Sequence, residues 1–260
     1  MTGEPKAPGA PAVILYRQVD RDDSSVRTPH EYNYVREKIF TEEGRKYANV
    51  EIPLVMLAPN GTLSGDFVEQ RNGDYGTEQR ASLKSVTKDA DRVKFIETML
   101  SHSLSAFQLT KASFSNLNQL DQPFGYQYSL VAQNYAKTAG NLLLVRPRVL
   151  GSNSSDLLEK KEPRMYPVEF DGPMKNTDTI EIALPAGYEV DDLPPPVNAD
   201  YSFASYHSKT EVNGNTLKYT RTFEVKELSV PLAKVEDLNK LYRVIAGDER
   251  NTAVLKPAAH

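Results

Sequence analysis

The stretches DTIEIALPAGYEVDDLPPPV, residues 178–197, and NTLKYTRTFEVK, residues 215–226, decide the fold. In the first, Ile180, Ile182 and Leu184 fall on one side of an extended chain, and Glu181 and Ala183 fall on the other. A two-residue period is that of a strand with one face on a core. Pro185, Ala186 and Gly187 stop it, and residues 188–190 resume it briefly. Pro194, Pro195 and Pro196 then bar further ladder pairing, because proline has no N–H. In the second stretch Leu217, Tyr219, Phe223 and Val225 alternate with Lys218, Thr220, Thr222, Glu224 and Lys226. Tyr201 and Phe203 open a run of the same kind. Asn213, Gly214 and Asn215 lie between the two runs and read as a hairpin turn, since both residue types tolerate positive φ.

Arg221 interrupts the apolar face between Tyr219 and Phe223. A buried guanidinium must be paired or must reach out to the edge of the core. The position therefore predicts an ion pair or a stack on a ring, with a ligand contact as the alternative.

Working outward, residues 13–16 form a short apolar run that Asp20, Asp22 and Asp23 break as a solvated turn. Strands are predicted over 32–40 and over 47–54, the latter with Ala48, Val50 and Ile52 on one face. Asn72, Gly73 and Asp74 read as a second hairpin turn between strands over 63–70 and 77–86. After Asp89 the period changes. Val93, Ile96, Leu100 and Leu104 are spaced for one helical face that lies on a sheet, with Asp89 or Asp91 as cap. Tyr126, Tyr128, Leu130 and Ala132 alternate again, and residues 142–145 are apolar throughout, as in a strand covered on both faces. Residues 151–163 are small and polar, then charged, and read as a linker. Beyond Pro231, Val235, Leu238, Leu241, Tyr242 and Ile245 share a helical face, Gly247 marks a stop, and a last strand is predicted over 252–255.

These patterns predict a mainly β protein of antiparallel β-sandwich domains, immunoglobulin-like or related, with one or two packed helices. The expected division is a disordered tail over 1–11, a β-meander over 12–55, a β-rich middle domain with one helix over 56–150, the linker over 151–163, and a C-terminal β-sandwich with a helix over 164–260. A net charge of −4 offers nothing to nucleic acid or an anionic membrane. The chain has no cysteine, which excludes disulfides, thiolate metal sites and cysteine nucleophiles. No run is long and apolar enough for a membrane span, and residues 1–11 lack the apolar centre of a signal peptide. His30, His102, His207 and His260 do not form the paired helical spacing of a zinc hydrolase. No metal or other cofactor is expected.

Two portions of the chain carry a resemblance. AVILYRQVDRDD at 12–23 with EYNYVREKIFTEEGRKYANVEIP at 31–53 resembles the start of the bacterial domain of unknown function that precedes a transglutaminase-like core in envelope proteins. NGTLSGDF at 60–67, YPVEF at 166–170 and the two stretches quoted first resemble the domain of unknown function that follows that core. Here Ile52, Pro53 and Leu54 run almost directly into Met56, so the core with its Cys, His and Asp looks deleted. The resemblance implies a flanking β-module in the periplasm or cell envelope, and it carries over no catalytic residue.

The expected function is thus a non-catalytic accessory module that binds a protein or an envelope polymer. Arg221, Tyr201, Tyr206 and His207 are the candidate ligand contacts. One alternative is a carbohydrate-binding surface built from Tyr126, Tyr128, Tyr201, Phe203, Tyr206 and Tyr219. Another is a hydrolase that works with two carboxylates.

Overall fold

A computed structural model of the protein describes residues 12–22, 30–39, 54–120, 122–154 and 164–258. The chain divides into two compact units, Met1–Ile52 and Pro53–His260. In the first, β1 (Ala12–Asp22) and β2 (His30–Ile39) pair antiparallel, with a register shift between Ile14 and Tyr16. The sequence predicts a turn from Asp20, yet β1 continues through Asp22. Asp20 stands opposite Tyr32 and Asp22 opposite His30, so ladder pairing overrides the weak strand preference of aspartate. The tail over 1–11 lies outside the described residues, as does the strand expected over 47–54 apart from Leu54.

The second unit opens with β3 (Leu54–Leu57), β4 (Leu63–Arg71), α1 (Gly73–Ser85), α2 (Asp89–Ser101), β5 (Phe107–Ser115) and β6 (Phe124–Ala132). It continues with β7 (Lys137–Ala139), β8 (Leu142–Val145), β9 (Val168–Glu169), β10 (Met174–Ala183), β11 (Tyr188–Asp192) and β12 (Val197–Asp200). β13 (Ala204–Asn213), β14 (Thr216–Val225), β15 (Ser229–Val230), α3 (Val235–Asp248) and β16 (Ala253–Pro257) complete it. The large sheet has the order β12-β13-β14-β10-β3-β4-β6-β5, and a four-stranded sheet has the order β11-β16-β8-β7. The protein is mainly β, as its alternating runs predict. Among the described residues there are three α-helices rather than one or two. The pairing is antiparallel except between β10 and β3, which run parallel over three residue pairs. The strands on the two sides of 151–163 share both sheets: β3 pairs with β10, and β8 pairs with β16.

Alternation explains which side chains are inside. Along β14, Leu217, Tyr219, Arg221, Phe223 and Val225 are buried, and the residues between them are half-buried. Ile180 and Ile182 of β10 join the same face. One hydrophobic core draws on both sheets and on α1 and α2, through Leu63, Tyr126 and Leu130 from the large sheet, Leu143 and Leu255 from the small one, and Ile96 and Leu100 from α2. A second core packs Leu238, Leu241, Tyr242 and Ile245 of α3 onto Tyr206 and Phe223. Residues 142–145 are buried at Leu143 and Val145 and only half-buried at Leu142 and Leu144, so β8 has one covered face, not two.

Residues 73–85 overturn the second predicted hairpin. They form α1, with Asn72 at its N-cap position. Glu78, Gln79, Arg80, Ala81, Leu83 and Lys84 are good helix formers, and burying Leu83 and Arg80 fixes the helix on the sheet. Arg80 donates to the carbonyls of Leu120 and Gln122 and lies 5.9 Å over the Phe124 ring. Strand β5 has no counterpart in the sequence reading. Lys88, not an aspartate, occupies the N-cap position of α2, while Asp89 and Asp91 pair with Arg92 and Lys94 one turn on. Gly247 lies inside α3, whose C-cap is Glu249.

Candidate functional site

Among the described residues, the largest group of buried charges forms where the C-terminus of α3 meets the middle of β14. Ladder register sets Arg221 between Ser208 of β13 and Asp178 of β10. The Arg221 side chain is 3% exposed. It donates from Nε to Asp178 Oδ2 at 2.7 Å, from Nη2 to the same oxygen, and from Nη1 to Glu249 Oε1 at 3.0 Å. Burial by itself would push the guanidinium down, but the Asp178 carboxylate together with Tyr219 and Tyr206 outweighs it and holds Arg221 above its ordinary value.

Glu249 is 4% exposed and receives four donors. Its Oε1 accepts from Arg221 and from the Asn153 backbone N–H at 2.7 Å; its Oε2 accepts from Ser152 Oγ at 2.7 Å and Ser154 Oγ at 2.5 Å. The loop over 151–154 is thereby folded onto the end of α3. Gly151 is required where this loop crosses Arg221, because its φ is +71° and a Cβ there would stand 3.1 Å from Arg221 Nη2. Beside this pair, Asp248 Oδ2 accepts from Tyr206 at 2.5 Å and Tyr219 at 3.3 Å. Burial raises both phenols, Tyr219 to about 12.

Arg148 completes the group. It is 7% exposed, and its Nε and Nη1 find no hydrogen-bond partner among the described residues. Burial lowers its pKa against the opposing pull of Glu249.

A second, smaller group lies on β4 and β6. Tyr128 donates to Glu69 at 2.5 Å, Glu69 pairs with Arg71 at 2.8 Å, and Tyr126 donates to Gln79. Burial, and after it the Glu69 carboxylate, raises Tyr128. Among the described residues no three His, Asp or Glu side chains converge as metal ligands.

The structure brings Arg221 and Tyr206 together through neighbouring acids of α3 and separates them from the other two candidates. Tyr206 is fully buried, so its ring has no surface on which to stack a ligand. Tyr126, Tyr128, Phe203 and Tyr219 are likewise buried, which removes them from a sugar-binding surface. Tyr201 is half-buried and stacks on Phe203 at 5.3 Å. His207 points to the opposite face from Tyr206, with Asn198 Oδ1 3.0 Å from Nδ1 and Asp200 Oδ1 3.2 Å from Nε2. His102 is exposed at the end of α2.

Sequence reasoning missed Asp178, Asp248 and Glu249, although a signal existed for each. Asp178 stands one two-residue step before Ile180, and the two acids continue the Ile245 face of α3 by three and four residues. Arg148 and Ser152 carry no comparable signal.

Residues 141–255 match the family described as a Domain of Unknown Function with solved-structure structure (DUF3858). That stretch is a DUF3858 domain. It opens at β8 and closes within β16, the strand that pairs with β8. Every member of the Arg221 group lies within the DUF3858 stretch, and the Glu69 group lies before it. No curated protein and no solved structure matches the chain.

Proposed function

We propose that residues 53–260 act as a non-catalytic recognition module for a protein partner, working as an accessory to a transglutaminase-like protein of the cell envelope. The observation that carries the reading is the saturation of Glu249, the acid that ties Arg221 to the 151–154 loop. A carboxylate offers about four acceptor sites, and Glu249 has all of them occupied by Arg221, Asn153, Ser152 and Ser154. Asp178 takes two N–H groups of Arg221 on one oxygen. Groups engaged in this way fix a loop and a helix end on a sheet and have little left to offer a reacting molecule. The envelope setting is drawn from the resemblance of residues 60–67 and 166–226 to the domain that follows a transglutaminase-like core, and the DUF3858 match covers the larger part of that stretch.

The test is cross-linking mass spectrometry of the full chain in a bacterial envelope fraction, alongside a panel of glycoside, ester and peptide substrates. The expected result is one saturable partner cross-linked to one surface of residues 53–260, with no turnover. Turnover that a single side-chain substitution abolishes would refute the reading, as would recovery of nothing above a control.

A further inference from the structure

β11 ends the smaller sheet, with β16 paired along one side of it. The strand also walls an open depression of about 470 Å³, shared with the tip of the β13–β14 hairpin. Tyr188, Val190, Leu193 and Val212 supply apolar surface to it, and Val212 is 40% exposed. Glu189, Asp191 and Asp192 line the same depression. Lys256 reaches Asp191 at 2.8 Å and Glu189 at 3.7 Å, and Asp192 accepts from the Leu193 backbone N–H at 3.0 Å, so three carboxylates and one ammonium lie along this strand pair with an excess of two negative charges.

A strand edge offers unpaired N–H and C=O groups to an incoming chain. On β11 the Tyr188 N–H is taken by the Pro185 carbonyl at 3.1 Å and the ladder shifts between Val190 and Asp192, so the edge on offer is short and its charges decide which chain is admitted. Two copies of β11 laid antiparallel would set acid against acid, which disfavours self-pairing. A segment that alternates apolar and basic side chains meets the opposite situation. Its apolar residues enter the depression, and its lysines or arginines face the excess carboxylates.

We propose that the free edge of β11 binds an extended basic segment of a partner protein as a fifth strand of the smaller sheet. The inference rests on the recognition reading above and names the chemistry of the partner. The probes are fluorescein-labelled peptides of alternating Lys-Val, Glu-Val and Lys-Ser, titrated into the full chain and followed by anisotropy. Saturable binding of Lys-Val is expected, with none for Glu-Val and a roughly tenfold weaker affinity for Lys-Ser, which keeps the charge and loses the apolar contacts. Val212→Arg closes the depression from an exposed position and is expected to weaken Lys-Val binding roughly tenfold, as is the pair Asp191→Asn and Asp192→Asn. Equal binding of Lys-Val and Lys-Ser overturns the proposal, because charge alone then suffices. Lack of saturation, or indifference to Val212→Arg, overturns it too. An envelope partner held equally by the wild-type and Val212→Arg chains overturns the β11 site and leaves the recognition reading in place.

Discussion

Replacing Arg221 with methionine tests the central energetic claim. The substitution keeps most of the side-chain volume and removes the charge shared by Asp178 and Glu249. Deleting one partner of a buried ion pair costs about 3–5 kcal/mol, because the other charge is left without compensation. Two features place the loss at the lower end. Asp178 is 36% exposed and can recover water, and Glu249 keeps the donors of Ser152, Asn153 and Ser154. A destabilisation of about 3 kcal/mol follows. For a unit of this size that corresponds to a fall in Tm of about 6–12 °C. Urea unfolding and calorimetry of the full chain measure both quantities. Adding Glu249→Gln to the Arg221→Met chain removes the stranded charge, so the double variant should be more stable than the sum of the two single losses by about 1 kcal/mol or more. An Arg221→Met chain within about 0.5 kcal/mol of wild type would refute the reasoning, as would strict additivity in the cycle.

The buried phenols predict a sharp alkaline limit. Burial lifts Tyr219 to about 12 and also raises Tyr126, Tyr128 and Tyr206, whereas an unfolded chain releases the same protons near the ordinary value of about 10. Their contribution to stability is therefore complete below a pH of about 10 and falls as the pH rises above it, that of Tyr219 being lost through about 12. Tyrosinate absorbance should lag behind a free-tyrosine titration and then rise together with loss of the far-ultraviolet signal; a simple titration with the fold intact would contradict this. Gly61→Ala should cost more than about 2 kcal/mol, since Gly61 has a φ of +80° and an added Cβ would lie 2.4 Å from the Ala136 carbonyl oxygen. A melting temperature equal to wild type would disprove it. Leu241→Ala, at a fully buried position on α3, should cost about 2–5 kcal/mol by chemical denaturation, and a loss below about 1 kcal/mol would mean that the site collapses around the vacancy.

The parts of this fold visible in the sequence are those whose signal is local and periodic. Ile180 and Ile182, the β14 alternation, the turn at Gly214 and the apolar face of α3 each need a window of a dozen residues or fewer, and each stands where the pattern puts it. Strand β5 fails that test because its register with β6 shifts between Leu109 and Lys111. Phe107 and Leu109 then fall out of phase with Ala112 and Phe114, and the alternation cancels. Helix α1 was hidden by the opposite fault. Leu83 is its main apolar anchor, too little for a helical period, while Asn72 and Gly73 mimic a hairpin. The pairing of Arg221 was legible as a need and not as an address. Its partners lie 43 and 28 residues away and are chosen by sheet register and by the docking of α3.

The three-pair contact between β3 and β10 has a mechanical consequence. It is the hydrogen-bonded link between β12-β13-β14-β10 and β3-β4-β6-β5 in the large sheet, and β3 is the strand entered directly from Ile52 and Pro53. Tension on the chain before Pro53 arrives first at a four-residue strand held by three rungs on each side. Loss of that strand would open the large sheet between its two halves and leave them joined by the β8–β16 ladder and the shared core. The protein places a three-rung fastener at the point where a pull from the N-terminal side is delivered.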